Sequence, residues 1–258
     1  MRRDSFRFVL LLVSLVLLLS ACGVAAPAST ATPTSLPPTG TPEPTATLTP
    51  LPSDTPQPTT TPDVAATQRA EDFQSLLALF HKKGYIGSVD GQVTLLHDWK
   101  KEFAKLHDYF KWGFTKEAEG EYSNFVFSAH FEWRSYSSTP DVSGCGLGFG
   151  IKENDDHYVI FLDRENLVLL RARGTRLYRM GTAGGDRYPT IPIPARSDFA
   201  VAVWDQNVTV SVDGVIVNYI LSSDQNAQGK IAYSLLSGTN SGYGTRCEMT
   251  DIILWTPK

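Results

Sequence analysis

The chain has 258 residues, a formal net charge of −4 and 11% aromatic residues. Apolar content of this order supports a real core, whereas the mildly acidic balance and the lack of a basic cluster argue against nucleic acid as a partner. The five histidines share no ligand spacing such as His-x-x-x-His, which argues against zinc.

Arg2, Arg3 and Arg7 precede an apolar run from Phe8 to Leu19, interrupted only by Ser14. The run is shorter than the roughly 20 apolar residues that span a bilayer, so residues 1–21 are expected to be a signal peptide. Its end, Leu19-Ser20-Ala21-Cys22, resembles the lipobox of bacterial lipoproteins. The chemistry needs small residues that fit a peptidase cleft, then a thiol that carries a diacylglyceryl thioether. The resemblance implies lipidation at Cys22, the membrane as a partner, and a position in the cell envelope facing the extracytoplasmic side. Two or three acyl chains, at about 0.8 kcal/mol per buried CH₂, make such an anchor stable.

Residues 22–63 form a Thr/Pro-rich linker, with 11 of the 16 prolines between Pro27 and Pro62. Lacking aromatic residues, the segment cannot bury enough apolar surface to offset its ordering entropy, so a disordered, extended tether is expected. At about 3.1 Å per residue in polyproline II, it reaches on the order of 120 Å.

Residues 64–258 are long enough for one domain. Asp63 can cap a helix, Ala66, Ala70, Phe73, Leu76, Leu77 and Phe80 follow at helical spacing, and Lys82-Lys83-Gly84 is a stop. One amphipathic helix is therefore expected at about 64–83. Gly91–Leu96 reads as a strand, and Asp98–Tyr109 as either strand or short helix. From Asn124 onward, Phe125, Phe127, Ala129, Phe131 and Trp133 alternate with Val126, Ser128, His130 and Glu132, the period of a strand with one buried face. Further strands are expected at Cys145–Ile151, His157–Asp163, Leu167–Arg173, Phe199–Trp204, Val208–Val212, Val215–Ile220, Lys230–Leu236 and Glu248–Trp255. Asn154-Asp155-Asp156 and Asp205-Gln206-Asn207 mark turns, and Asp213-Gly214 suits a type I′ hairpin. Many short strands with hairpins and almost no helix predict an all-β, two-sheet antiparallel sandwich.

In an oxidising compartment Cys145 and Cys247 are expected to form a disulfide. Cys145 is in phase with Leu147 and Phe149, and Cys247 with Met249 and Trp255, so both are expected to point into the core at one end of the sandwich.

Several stretches carry a family likeness. They are Phe125 to Arg134 with its Glu132-Trp133-Arg134 end, Gly146-Leu147-Gly148-Phe149-Gly150, Asp156 to Phe161, and Val208 to Gly214. Gly229 to Tyr233 and Asp251 to Trp255 complete the set. Together residues 124–256 resemble the concanavalin A-like jelly-roll superfamily, with laminin-G-like modules and the bacterial 3-keto-disaccharide hydrolase domain as the nearest types. The resemblance implies a jelly-roll fold and a carbohydrate-related role. It brings Asp155, Asp156 and Asp163 forward as candidate calcium ligands, no other cofactor being implied. The segment Val142-Ser143-Gly144-Cys145 keeps the Ser-Gly pair of the hydrolase-like domains but has Val142 where an amide is expected. The Glu-x-Asp-x-x-Glu arrangement of jelly-roll glucanases is absent.

Glu132 lies in the middle of the expected strand Phe125–Trp133 and is the catalytic candidate, as general acid or base. A glycosidase needs a second carboxylate about 5–10 Å away, and none is evident, so an ion pair with Arg134 or Arg171 is the preferred reading. Gly146, Gly148 and Gly150 leave one face of their strand bare. That suits either close approach of Phe161 or Tyr158, or a trough for a flat ligand such as a sugar. His130 and Glu132 would border that floor if the two strands are neighbours. Arg171, Arg173, Tyr178 and the nearby Arg176 and Arg179 are expected to supply a wall. The expected role is a surface-anchored jelly-roll module that binds carbohydrate, ahead of a 3-keto-disaccharide hydrolase-like glycosidase and of a structural or protein-interaction module of the envelope.

Overall fold

The computed structural model describes residues 64–137, 143–174, 176–184, 194–221 and 227–258. The expected signal peptide, Cys22, the linker and Val142 lie outside the described residues.

Helix α1 (Val64–Lys82) buries Phe73, Leu77 and Phe80, which recur at i, i+4 and i+7 on one face, while Ala66 and Ala70 remain exposed. Gly84 takes a φ of 74°, open to a residue without Cβ, and Tyr85 N donates to Phe80 O at 2.8 Å while Gly84 N donates to His81 O at 2.9 Å. These paired bonds end the helix, and Tyr85 packs edge-on against Phe80 at 6.0 Å.

The described residues after the helix hold strands β1 (Gly91–Leu95), β2 (Trp99–Phe103), β3 (Asp108–Gly113), β4 (Phe125–Ser135), β5 (Gly144–Ile151), β6 (His157–Leu162) and β7 (Asn166–Arg173). They continue with β8 (Arg176–Gly184), β9 (Ala195–Trp204), β10 (Asn207–Val212), β11 (Val215–Ile220), β12 (Lys230–Ser237) and β13 (Thr245–Pro257). They form a two-sheet antiparallel sandwich. The first sheet runs β1-β13-β4-β9-β10-β11, with β2 also on β13, and the second runs β3-β12-β5-β6-β7-β8. The ambiguous 98–109 stretch resolves into two strands in opposite sheets, joined through His107 at φ 58°. Strand β8, which the sequence does not announce as a strand, closes a hairpin with β7. Asp213 and Gly214 both have positive φ, 49° and 81°, as a type I′ turn requires.

The expected Phe stripe of β4 faces inward. Phe125, Phe127, Phe131 and Trp133 meet Leu147, Phe149, Tyr233 and Leu235 from the second sheet in one buried core. A smaller cluster lies on the outer side of the first sheet, where α1 covers Val126, Ala200, Ala202, Ile253 and Trp255.

Trp255 therefore does not share a phase with Cys247 and Met249. Between Thr250 and Ile253 the β13–β4 register slips, with Asp251 at φ 52°, and this bulge turns the rest of the strand over. Cys247 and Met249 point into the core, whereas Trp255 points out under the helix. Arg69 of α1 pairs with the bulged Asp251 at 3.0 Å. The Cys145–Cys247 disulfide forms as expected, with Cα atoms 5.8 Å apart, and joins β5 to β13 across the sandwich.

Candidate functional site

Strands β4 and β5 belong to different sheets. His130 and Glu132 lie on the outer side of the first sheet, and the glycines on the outer side of the second, so the two sets share no floor. The expected juxtaposition fails because β4 pairs with β13 and β9, whereas β5 pairs with β12 and β6.

On the first sheet Glu132 accepts from Arg134 at 2.6 Å and from Arg196 at 3.0 Å. These guanidiniums, Arg134 foremost, hold its carboxyl below the usual carboxylate range. That is opposite to what a general acid needs. The expected pairing with Arg134 is present; Arg196, not Arg171, is the second partner. A carboxylate overlooked in the sequence, Glu248, stands opposite Glu132 in register and pairs with Lys100 at 2.6 Å. With Arg246 bonded to Glu102, this face is a ladder of satisfied ion pairs. His130 bonds Asp198 through Nδ1 at 3.0 Å and lines a crevice of about 290 Å³ beside α1.

The outer side of the second sheet is built differently. Register aligns Gly113, Ala232, Gly148 and Val159 in one row, and Lys111, Ser234, Gly146 and Phe161 in the next. In these two rows the neighbouring strands β12 and β5 contribute no side chain larger than those of Ala232 and Ser234. Each glycine has its own reason. A Cβ at Gly146 would run into the Ile160 carbonyl and the Phe161 ring, the close approach weighed from the sequence. Gly148 has room, its nearest contact being Ser234 Oγ at 3.4 Å, and Gly113 meets nothing within 4 Å. Gly150 sits at φ 62° against the backbone of Ala227.

At the Gly113 end the strip opens into a cavity of about 390 Å³ lined by Lys111, Gly113, Phe114, Glu119, Ile151 and Ala232, among others. Phe114 stands edge-on to the core ring of Tyr233 at 4.4 Å, which fixes it as an apolar wall. Beside the cavity two side chains of β3 reach across toward β6 and the turn before it. Tyr109 Oη meets His157 Nε2 at 2.8 Å, and Lys111 donates to Asp155. His157 Nδ1 lies 2.5 Å from the Asp155 carbonyl, which can only accept. Nδ1 therefore carries the proton, and Nε2 accepts from Tyr109 in the neutral ring. Burial lowers the His157 pKa and, with the charges of Asp155 and Asp108, pushes the Tyr109 phenol up to about 12. Ser234 is 0% exposed and its hydroxyl has no partner among the described residues.

The arginine wall is divided by the same alternation. Arg171 and Tyr178 share a row with Tyr158, over whose ring Arg171 lies at 5.6 Å, and this row is on the core-facing side of the sheet. Arg173 pairs with Arg176 in register at the hairpin end, both exposed. Arg179, in register with Leu170 and so with Val159 and Gly148, is the one of the five whose row crosses the glycine face. The candidate calcium ligands are separately engaged. Asp155 holds Lys111, Asp156 accepts from Gly174 N at 3.3 Å, and Asp163 accepts from Glu165 N at 2.8 Å. Among the described residues no three His, Cys, Asp or Glu side chains converge as a metal site. Ser143 of the Ser-Gly pair is buried and accepts from Gly238 N and Thr245 Oγ1, each at 3.0 Å.

Tyr109, Lys111, Gly113, Ala232 and Ser234 were not singled out in the sequence. A signal was present: Ala232 and Ser234 alternate with Ile231, Tyr233 and Leu235, the same small/large pattern as the glycine strand.

No family model and no curated protein matches the chain. Among solved structures, a carbohydrate-binding module, CBM66, from Bacillus subtilis aligns at 7% identity and a TM-score of 0.46, covering 66% of this chain and 99% of that one. A structure from A. japonicus named CB05 aligns at 17% identity and a TM-score of 0.45, over 64% of this chain and 26% of the other. Alginate lyase A1-II′, a member of polysaccharide lyase family-7, aligns at 8% identity and a TM-score of 0.39, over 53% of this chain and 64% of the lyase.

Proposed function

We propose that the chain is a lipid-anchored carbohydrate-binding protein of the cell envelope, with its ligand site on the outer side of the second sheet. The observation that carries this reading is the cavity of about 390 Å³ floored by Gly113 and Ala232. It combines an apolar wall, Phe114 and Ile151, with charged groups that can fix hydroxyls, Lys111, Glu119 and Lys230. Sugars need this mixture, because their ring faces are apolar and their hydroxyls must exchange water for fixed polar partners. Gly148 shares a row with Gly113 and Ala232 and Gly146 lies in the next, but neither lines the cavity. His130 and Glu132 do not border it.

A glycan array probed with the full chain, followed by calorimetry on any hit, tests the reading directly. Gly113→Trp is the diagnostic variant. The position is exposed and open, so an indole there fills the cavity without disturbing the core, and tryptophan is well tolerated in a strand. Binding is expected to vanish while the unfolding midpoint stays unchanged. A Gly113→Trp protein that binds with unaltered affinity would remove the cavity from consideration.

The anchor has its own test. Cys22→Ser is expected to abolish incorporation of labelled fatty acid and to leave the precursor unprocessed or free of the membrane. A mature wild-type chain beginning at an unmodified Cys22 would overturn it.

A further inference from the structure

The strip between β3 and β6 differs from the open cavity in being spanned. Tyr109 and Lys111 start on β3, cross two strands, and end on His157 and Asp155. Tyr109 starts in the row of Leu236 and Gly144 and Lys111 in that of Ser234 and Gly146, and the small residues Ser234, Ala232, Gly146 and Gly148 leave the rows toward His157 and Asp155 without large side chains. The span is held by polar contacts and by an edge-on contact of Tyr109 with Phe161 at 6.0 Å. In register with Lys111 lies the Ser234 hydroxyl, fully buried and without a hydrogen-bond partner among the described residues, and a buried hydroxyl without a partner costs free energy unless something supplies one.

We propose that this strip is a closed extension of the cavity, a sugar subsite occupied by the protein's own side chains. The Tyr109 hydroxyl and the Lys111 ammonium hold the positions that hydroxyls of a bound saccharide take when the two straps swing away. The released groups match that ligand class. His157 Nε2 and the Asp155 carboxylate accept hydrogen bonds from sugar hydroxyls, and Ser234 Oγ gains a partner that no described residue supplies. Lys111 belongs to both regions, lining the open cavity and forming one strap. A ligand entering beside Gly113 therefore meets the side chain that must move. The subsite rests on the carbohydrate-binding reading above, whereas the straps themselves can be examined without any ligand.

The experiment places a thiol under the straps. Ser234→Cys is made in the full chain together with Cys22→Ser. Since the chain has three cysteines and two form the disulfide, the introduced thiol is then the only free one. Its rate of reaction with a small charged methanethiosulfonate reports opening. Tyr109→Phe with Lys111→Met removes both polar links and keeps the side-chain bulk. Labelling is expected to be slow with the straps intact and about tenfold faster or more without them, as when a local opening loses a net hydrogen bond or two. If Ser234→Cys does not fold, Gly148→Cys serves, because a Cβ there makes only ordinary contacts.

Equal rates with and without the straps overturn the proposal. So does an oligosaccharide that binds in a Gly113-dependent way yet leaves labelling at position 234 unslowed in the strap-free chain. The failure of the underlying reading looks different: no glycan binds to any form of the protein, whatever the labelling rates.

Discussion

Reduction of the Cys145–Cys247 disulfide is expected to remove a large part of the domain's stability. The bond closes a loop of 102 residues and ties β5 of one sheet to β13 of the other, with both cysteines fully buried. In the chain-entropy account a loop of about 100 residues contributes about 4.7 kcal/mol by restricting the unfolded chain. Domains of this kind are stable by only about 5–15 kcal/mol in total. Around the bond, Thr245 Oγ1 donates to Ser143 Oγ at 3.0 Å and Ser237 Oγ to the Thr239 carbonyl at 2.8 Å. The sheets are therefore pinned at this end by buried polar contacts as well. Urea unfolding of the oxidised chain, the reduced chain and a Cys145→Ala, Cys247→Ala double variant should give similarly lowered midpoints for the last two. A loss below about 1 kcal/mol would mean that the unfolded chain is already compact enough to make the crosslink redundant.

Phe80→Ala is expected to cost about 3–5 kcal/mol, the range for emptying a fully buried aromatic site. Phe80 is 0% exposed and belongs to the seam of Phe73 and Leu77 against Val126, Ala200, Ala202, Ile253 and Trp255. It also packs against Tyr85 at the helix end, so truncation weakens both docking and the stop. The helix, lifted from the sheet, should become the first segment cleaved in limited proteolysis, with cuts near Lys82 and Lys83. Unchanged stability with new cleavage would show that α1 is an appendage rather than a layer of the domain.

What could be read from the sequence follows the range of each signal. The helix, the Phe stripe of β4 and the Asp213-Gly214 turn are written in residues a few positions apart, and all three appear where expected. The disulfide was expected from two cysteines in core phase on the premise of an oxidising compartment, and the bond is present. Sheet membership is another kind of information. Strands β4 and β5 follow one another in the chain, yet β4 finds its neighbours in β13 and β9 and β5 in β12 and β6. No local pattern says so, which is why His130 and Glu132 were expected beside the glycines. Strands β2 and β3 hid for a related reason. Trp99–Phe103 and Asp108–Gly113 mix charges and aromatics because each borders solvent on one side, which blurs the alternation. The face-bearing residues Tyr109, Lys111 and Ser234 become a group only once four strands are laid side by side.

The bulge at Asp251 makes two features of the fold depend on one another. A single extra residue makes the last strand address the core with Cys247 and Met249 and the helix with Ile253 and Trp255. Loss of that residue would exchange the two sides of the strand's second half, turning an indole into a core with no place for it and leaving α1 without its main contact. The docked helix and the extra residue thus stand or fall together. A relative that lacks residue 251 should lack the helical layer as well, and one that keeps the helix should keep an acidic residue there to pair with Arg69.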